Sequence, residues 1–310
     1  MKKLLPLLAL ALAPFAYSVE QIAVIPKGTT HSFWKSVEAG ARKAGQELGV
    51  EIVWKGPLKE DDRAQQISLV QQFVSSGISA IVLAPLDDTA LRGPVKTAAE
   101  RKIPVVIFDS ALKGDVGQDY ISYVATDNKQ GGIMAGEELL RLLGGKGKVV
   151  LLRYSEGSAS TAAREAGFLE VMARNPGINL LVTNRYSGPT VSTAQDASMN
   201  LIDKIREADG IFCTNESATQ GMLLALRQTG LAGKKTFVGF DTSPPLIAAL
   251  AKGEIHALVA QNPTKMGYMG VMTAVKALRG EKFENNIDTG CLLVTKANLN
   301  DAATRAVIGK

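Results

Sequence analysis

Cysteine and histidine are scarce in this chain, which has two of each in 310 residues. Cys213, Cys291, His31 and His256 are far apart in sequence and match no metal-ligand spacing, so we predict no metal site. Cys213 lies inside a short apolar run, where a buried free thiol is the common state. In an oxidising compartment the two cysteines could form a disulfide, and the apolar surroundings of Cys213 favour the alternative of two unpaired thiols.

The chain also lacks a strong excess of charge of one sign and lacks the common catalytic motifs. It carries 35 basic and 30 acidic side chains, and the basic ones form no block, which gives no support to nucleic-acid binding. There is no G-x-S-x-G elbow, H-E-x-x-H motif or Walker A loop, and no pair of carboxylates stands out for glycosidase chemistry. The sequence therefore predicts a protein that is not an enzyme and that needs no cofactor.

No apolar run beyond the N-terminus approaches the roughly 18 residues that a membrane-spanning helix needs. The N-terminus has the three parts of a secretory signal peptide: a positive start at Lys2 and Lys3, an apolar stretch over residues 4–15, and small residues up to Ser18. A buried N-terminal helix is the alternative, and it is less favoured because a strand-like run follows at once. We predict that residues 1–18 are a cleaved signal peptide.

Short apolar runs rich in valine and isoleucine alternate with stretches of helical periodicity along the rest of the chain. Such runs are typical of strands buried on both faces of a parallel sheet, and their alternation with helices builds doubly wound α/β sheets. Eleven runs are too many for one typical sheet, so we predict two doubly wound parallel-sheet lobes joined by a hinge. The predicted strands cover residues 22–25, 50–54, 80–84, 105–108, 121–124, 149–152, 178–182, 210–213, 237–240, 257–260 and 291–294.

Polar and aromatic side chains follow the predicted strands, at the sheet edge where α/β proteins bind their ligands. Many are Asp, Asn, Gln or Arg, which make two hydrogen bonds at once and suit the adjacent hydroxyls of a sugar. Aromatic faces can cover the C–H side of a sugar ring. The set predicts a site for a small sugar or polyol. Its members are Lys27, His31, Phe33, Trp34, Asp109, Asp127, Asn128, Arg164, Asn215, Asp241 and Gln261.

These residues also have structural interpretations. Asn128 stands where it would cap a helix as readily as bind a ligand. One of the neighbours Phe33 and Trp34 should belong to the core, since adjacent residues on a helix face different ways. Lys27 could pair with Asp109 instead of touching a ligand. Because acidic and basic side chains are balanced at these strand ends, we predict a neutral ligand.

Together these residues are similar to a known family. Over its whole mature length the chain resembles the type I periplasmic sugar-binding proteins of the ribose-binding group. Each matching stretch is weak evidence alone, but their order along the chain is specific. The stretches are FWKSVEAGA at 33–41, IPVVIFD at 103–109, TDN at 126–128, TAARE at 161–165, NE at 215–216, VGFD at 238–241 and AQ at 260–261.

The resemblance implies how the chain is divided and what it does. The N-terminal lobe would contain residues 19–126 and 263–287, and the C-terminal lobe residues 127–262 and 288–310. The protein would be a periplasmic monomer that closes on a sugar and delivers it to the permease of an ABC transporter. The resemblance assigns ligand contact to strand-end residues of the set above and adds Tyr186 as an aromatic contact of the second lobe.

Two departures from the ribose-binding pattern leave the ligand open. Ser110 stands where ribose binders have an arginine, and Lys27 stands where they have a small polar residue. The stretches at 26–27 and 55–57 resemble instead the autoinducer-2-binding and rhamnose-binding branches, an alternative that brings a chemoreceptor or signalling role. Sugar-responsive repressors share the fold but begin with a DNA-binding helix-turn-helix, and here a signal peptide is predicted in that place.

Overall fold

The structure, a computed structural model, describes residues 19–308. The predicted signal peptide at residues 1–18 lies outside the described residues. Twelve strands form within the described part of the chain: β1 (Gln21–Ile25), β2 (Glu51–Trp54), β3 (Ala80–Leu83), β4 (Val105–Phe108), β5 (Ser122–Ala125), β6 (Gly147–Arg153), β7 (Ile178–Tyr186), β8 (Gly210–Cys213), β9 (Thr236–Phe240), β10 (Ala257–Gln261), β11 (Asn286–Asp288) and β12 (Cys291–Thr295).

Helices separate most of these strands. The described residues form α1 (Ser32–Leu48), α2 (Arg63–Ser76), α3 (Arg92–Glu100), α4 (Asn128–Leu142), α5 (Ala159–Ala173), α6 (Val191–Asn200), α7 (Ile202–Glu207), α8 (Glu216–Gln228), α9 (Pro244–Lys252), α10 (Pro263–Leu278) and α11 (Ala302–Ile308). None of these helices combines the length and the apolar character needed to cross a membrane.

The described strands form two six-stranded sheets. The first has the order β11-β5-β4-β3-β1-β2, and all its neighbours run parallel. The second has the order β12-β10-β9-β8-β6-β7 and is parallel except for β12, which runs antiparallel to β10. The predicted fold class, two parallel-sheet α/β lobes, is confirmed.

The first strand shows why apolar runs predict strands in this chain. Ile22 and Val24 of β1 pack in the cluster that contains residues of α1 and α10, whereas Ala23 and Ile25 pack in the cluster with residues of α2 and α3. Successive side chains of a strand point to opposite faces, and helices cover both faces of this sheet. Every position of such a strand therefore has to be apolar.

Two edge strands depart from the sequence prediction. The sequence does not predict β11, which has three residues, two of them polar, and pairs with β5 alone among the described strands. The strand predicted at 178–182 continues as β7 to Tyr186, and the added residues are half-buried or exposed. An edge strand has one neighbour and a wetter surface than a central strand, so its sequence carries a weaker hydrophobic signal.

Within the described residues, the chain passes between the two sheets in three places: before α4, before α10, and between β11 and β12. Two of these passages are hydrogen-bonded to each other. Asp288 Oδ1 accepts from the backbone N–H of Asp127 at 3.2 Å and of Gly290 at 2.8 Å. The hydroxyls of Thr126 and Thr289 are 3.5 Å apart. Passages that lie side by side are what a hinge between two lobes requires.

Both cysteines are free thiols. Cys213 is buried in β8, and burial raises the pKa of its thiol well above the ordinary value. Cys291 begins β12 and is half-buried. A buried thiol that stays protonated is a poor nucleophile, so Cys213 acts as a small apolar core residue.

Glycines allow the closest helix contacts in each lobe. A Cβ added at Gly132 of α4 would come closer than 3.0 Å to the carbonyl oxygen of Arg164 in α5, and one at Gly167 would meet the carbonyl oxygen of Lys129 in the same way. Gly40 of α1 makes the equivalent contact with the backbone of α10. Backbone lies on both sides of these contacts, so a side chain could be accommodated only by separating the helices.

We expect Gly132→Ala to lower the free energy of unfolding by about 1–3 kcal/mol, the range for overpacking a tight contact. Urea denaturation of the purified protein measures the change. Gly93→Ala in α3 is the matched control, because a Cβ there meets nothing within 4 Å and alanine favours helix. Equal stability of wild type and Gly132→Ala would show that the crossing of α4 and α5 tolerates the added methyl group.

Candidate ligand-binding site

The carboxyl ends of strands from both sheets face a cavity between the lobes. It holds about 330 Å³ of free space, including its opening to solvent. Nine of the twelve residues predicted from the sequence line it. The lining consists of Lys27, His31, Phe33, Trp34, Glu60, Asp109, Tyr154, Ser160, Thr161, Arg164, Asn215, Glu216, Asp241 and Gln261.

Asp109 and Asp241 occupy the same position in the two sheets. Each directly follows a strand, β4 or β9, and each has a left-handed backbone, with φ of 61° and 72° respectively. Aspartate tolerates this conformation better than most residues, and such strain concentrates at functional sites. The backbone N–H groups still donate across the sheet, to the carbonyls of Val124 and Val259. The chain therefore turns away at the sheet edge with both carboxylates in the cavity lining.

Lys27 is 3% exposed and joins the two lobes. Its Nζ lies 3.3 Å from Asp109 Oδ2 and donates to the hydroxyls of Ser158 at 3.2 Å and Ser160 at 3.0 Å. Burial raises the pKa of Asp109, and Lys27 and then Arg164 oppose that rise. Lys27 therefore both forms the ion pair with Asp109 and lines the cavity.

Asp241 is buried against groups of its own lobe. Its Oδ2 accepts from the backbone N–H of Glu216 at 2.8 Å, and its Oδ1 accepts from Gln261 Nε2 at 2.8 Å. Burial raises the pKa of Asp241 to about 6, although Arg164 and Gln261 act in the opposite direction. The amide oxygen of Gln261 is buried and has no hydrogen-bond partner among the described residues. An unpartnered buried acceptor costs free energy, so a ligand hydroxyl that donates to it would be stabilising.

Arg164 reaches the cavity from α5 and is fixed by three contacts. Its Nε donates to Asn128 Oδ1 at 2.8 Å, and its Nη1 donates to the carbonyl of Thr214 at 2.9 Å. The guanidinium carbon lies 3.8 Å from the ring centre of Phe240. A guanidinium has about five N–H donors, so about three remain for a ligand. Asn128 therefore orients Arg164 and is not itself part of the lining.

Comparison with known proteins assigns this architecture to a family. The family model described as "Periplasmic binding protein domain" matches residues 22–282. The chain belongs to this family. The ribose import binding protein of Salmonella typhimurium is 30% identical to it over 287 residues, which cover 91% of this chain and 92% of that protein. The family predicted from the sequence is confirmed.

Two solved structures of solute-binding proteins resemble this periplasmic binding protein throughout. One, from Agrobacterium vitis with bound D-fucose, has a TM-score of 0.89 and 35% identity, covering 93% of this chain and 99% of that one. Another, from Agrobacterium radiobacter in complex with D-arabinose, has a TM-score of 0.89 and 34% identity, covering 94% and 100%. These relatives do not favour the autoinducer-2 or rhamnose alternative.

Glu60 and Tyr154 close one wall of the cavity in this periplasmic binding protein, and neither is predicted from the sequence. Glu60 accepts from Trp34 Nε1 at 2.7 Å and from the Tyr154 hydroxyl at 2.8 Å, and it lies 2.8 Å from His31 Nδ1. Burial disfavours both charges, but their attraction outweighs it, lowering the pKa of Glu60 to about 2 and raising that of His31 to about 9. Glu60 stands in a charged run at 59–62 that is typical of an exposed loop. Tyr154 directly follows β6, so its position at a strand end could have identified it.

Asp127 and Tyr186, two of the predicted site residues, lie outside the lining. Asp127 is exposed and caps α4, where its Oδ1 accepts from the backbone N–H of Gln130 at 2.9 Å. Tyr186 ends the edge strand β7 and is 40% exposed, with the guanidinium of Arg153 4.9 Å from its ring centre. A helix cap holds Asp127, and the longer β7 carries Tyr186 to the sheet margin, so neither of these predicted contacts lines this cavity.

The two aromatic residues that open α1 have different environments. Trp34 is 2% exposed and packs edge-on against Phe108, with ring centres 6.1 Å apart, in the core of the first lobe. Phe33 is half-buried and lies edge-on to Trp34 at 4.9 Å. Trp34 is thus a core residue that also lines the cavity, and Phe33 is the aromatic side chain with surface left to offer a ligand.

Proposed function

We propose that this protein is a non-catalytic solute-binding protein that encloses a small neutral sugar or polyol between its lobes and delivers it to the permease of an ABC transporter. The observation that carries the proposal is the convergence of hydrogen-bonding groups from both sheets on one small cavity. Asp109 comes from the first sheet, Asp241 and Gln261 come from the second, and Arg164 comes from α5. The ribose, D-fucose and D-arabinose named for the relatives support the choice of ligand class.

The chemistry of these groups suits a polyhydroxylated ring. Each hydroxyl of a sugar both donates and accepts, so adjacent hydroxyls match groups that bind through two atoms. Arg164 supplies donors, while the carboxylates of Asp109 and Asp241 and the free amide oxygen of Gln261 supply acceptors. Phe33 provides apolar surface for the C–H side of the ring.

The charges in the cavity wall support a neutral ligand. Most are already matched inside the protein: Lys27 pairs with Asp109, and His31 pairs with Glu60. Arg164 lies near Asp109 and Asp241, whose charges favour its own. A ligand anion would have to compete with carboxylates that already hold these cations.

Location, partners and motion are part of the same proposal. The signal-peptide pattern and the family support a periplasmic location, and the protein would act there as a monomer. Residues 19–126 with 263–287 would form one rigid lobe, and residues 127–262 with 288–310 the other. The three passages between the sheets would form the hinge on which the lobes close over the sugar.

A thermal-shift screen of the mature protein against D-ribose, D-fucose, D-arabinose and a wider panel of sugars and polyols tests the proposal. A ligand at about 100 times its Kd should add about 2.7 kcal/mol of stability. Small-angle scattering should show a smaller radius of gyration with that ligand than without it, because the ligand selects the closed state. If no neutral sugar or polyol stabilises the protein, the proposed function is wrong.

Sugar affinity is expected to fall as the pH drops below about 6. Ligand hydroxyls that donate to Asp241 favour its ionised form, whereas in the free protein its pKa is about 6. Below that pH, binding has to release a proton, so Kd should rise by up to about tenfold per pH unit. His31, with a pKa of about 9, stays charged through this window. Calorimetry at several pH values around 6 measures how steeply Kd depends on pH. The variant Asp241→Asn should bind the sugar more weakly than wild type, and its Kd should not depend on pH in this window. An identical slope in that variant would assign the titration to another group.

A further inference from the structure

Glu216 reaches across the cleft from one lobe to the other. It is the first residue of α8, in the second lobe, and is 6% exposed. Its Oε1 accepts from the backbone N–H of Ser32 at 3.1 Å, and its Oε2 accepts from the backbone N–H of Phe33 at 2.9 Å. Both carboxylate oxygens therefore bind the first turn of α1, in the first lobe.

The N-terminus of α1 has no cap of its own. His31 precedes the helix without a side-chain capping hydrogen bond, and the first turn of α1 holds no acidic residue. The first N–H groups of a helix lack partners within it, and the helix dipole favours a negative charge there. Glu216 supplies both the acceptors and the charge, and in the closed arrangement it does so from the opposite lobe.

The same residue is tied to the cavity from its own side. The backbone N–H of Glu216 donates to Asp241 Oδ2 at 2.8 Å, and Asn215 caps α8 by accepting from the N–H of Ala218 at 3.1 Å. Asp241 and Asn215, which both line the cavity, therefore hold the start of α8 in place. On the other side, the turn of α1 that receives the carboxylate carries Phe33 into the cavity lining.

We propose that Glu216 is a positioning residue that latches the closed lobes by capping α1, and that it does not bind the ligand. This inference rests on the proposed function, because a latch contributes to binding only where closure follows binding. Since the carboxylate is committed to two backbone N–H groups, its contribution should be the same for every ligand that the lobes enclose. A ligand contact would depend on which hydroxyls the ligand carries.

The test compares wild type with Glu216→Gln by calorimetry and stopped-flow binding, using those among D-ribose, D-fucose and D-arabinose that wild type binds, together with their deoxy analogues. The variant should lose about tenfold in affinity or more, chiefly through faster dissociation, since it loses charge-assisted bonds that form on closure. The loss should be the same factor for each ligand and analogue. A loss that disappears for one deoxy analogue would make Glu216 a ligand contact and overturn the latch.

Glu254→Gln is the matched control for the loss of one negative charge. Glu254 lies outside the cavity lining and forms an ion pair with Arg227, with 2.6 Å between the charged atoms. Its affinity should equal that of wild type. Glu216→Asp keeps the charge on a shorter side chain and should also weaken binding, which provides a second variant should Glu216→Gln fold poorly. Wild-type affinity in Glu216→Asp and Glu216→Gln would overturn the proposal.

Hydrogen exchange separates failure of the latch from failure of the proposed function. With sugar bound, the amides of Ser32 and Phe33 should exchange faster in Glu216→Gln than in wild type, and the melting temperature of the free protein should be unchanged. Equal exchange in the two proteins, with and without sugar, would overturn the latch. If wild type binds no sugar at all, the proposed function fails, whereas equal exchange of these amides in sugar-bound wild type and sugar-bound Glu216→Gln would overturn the latch alone.

Discussion

Replacing Asp241 with alanine is expected to weaken sugar binding by about 1.5–3 kcal/mol, the scale for hydrogen bonds to charged groups. That range corresponds to an affinity loss of about 10- to 150-fold. The carboxylate already accepts from Glu216 and Gln261, each at 2.8 Å, so it is held in place before a ligand arrives. Its removal takes away the acceptor for ligand hydroxyls and also releases the amide of Gln261. Isothermal titration calorimetry with the sugar that wild type binds measures the loss.

The backbone at position 241 decides which variant is the better control. With a φ of 72°, alanine there adds strain that has nothing to do with binding. Asparagine tolerates the left-handed region, so Asp241→Asn removes the charge with little backbone penalty. Both variants should lose affinity, and Asp241→Asn should keep the stability of the free protein. If instead the free protein is destabilised while affinity stays unchanged, Asp241 only braces its loop.

The sequence predicts the fold because the central strands are buried on both faces. Ile22 and Val24 face one layer of helices while Ala23 and Ile25 face the other, so the apolar run is continuous. The same logic fails at β11, where one neighbour and a wet edge make an apolar run unnecessary.

The sequence likewise predicts some residues of the candidate site and misses others. Asp109 and Asp241 could be predicted because each directly follows an apolar strand, and their left-handed backbones mark that junction in the structure. Glu60 could not be predicted, because its partners come from two other parts of the chain: His31 and Trp34 from the start of α1, and Tyr154 from the end of β6. Its neighbours in sequence are charged and give it the pattern of a solvated loop. Only the packing of the lobes shows that it is buried.

The position of a polar residue directly after a strand does not by itself show that its side chain enters the cavity. Asn128 lies where a ligand contact was expected, yet its side chain orients Arg164 from behind the lining. Periodicity and spacing locate a residue along the chain, but which of two neighbouring polar residues enters the cavity depends on side-chain direction. That direction is fixed by contacts between different elements, such as α4 and α5.

A neutral sugar is expected to bind about a thousandfold more tightly than an analogue that carries an anionic group on the same ring. A ligand anion 4 Å from a carboxylate is repelled by about 4 kcal/mol at an effective dielectric constant near 20, which is about a thousandfold in affinity. Asp109 and Asp241 stand in the lining, and Lys27, the nearest cation to Asp109, is already engaged with it at 3.3 Å. The cations are thus held by the protein's own carboxylates.

Calorimetry with matched pairs measures this discrimination: D-glucose against D-glucose 6-phosphate, and D-galactose against D-galacturonic acid. Members of a pair share the ring and differ mainly in charge, and a neutral substituent of similar size at the same carbon controls for steric exclusion. Raising the salt concentration should narrow the gap only slightly, because a buried site is poorly screened. Tighter binding of the charged member of either pair would contradict the proposal. Lys27 and Arg164 would then be the principal recognition groups, and the ion pair of Lys27 with Asp109 would have to open when the ligand binds.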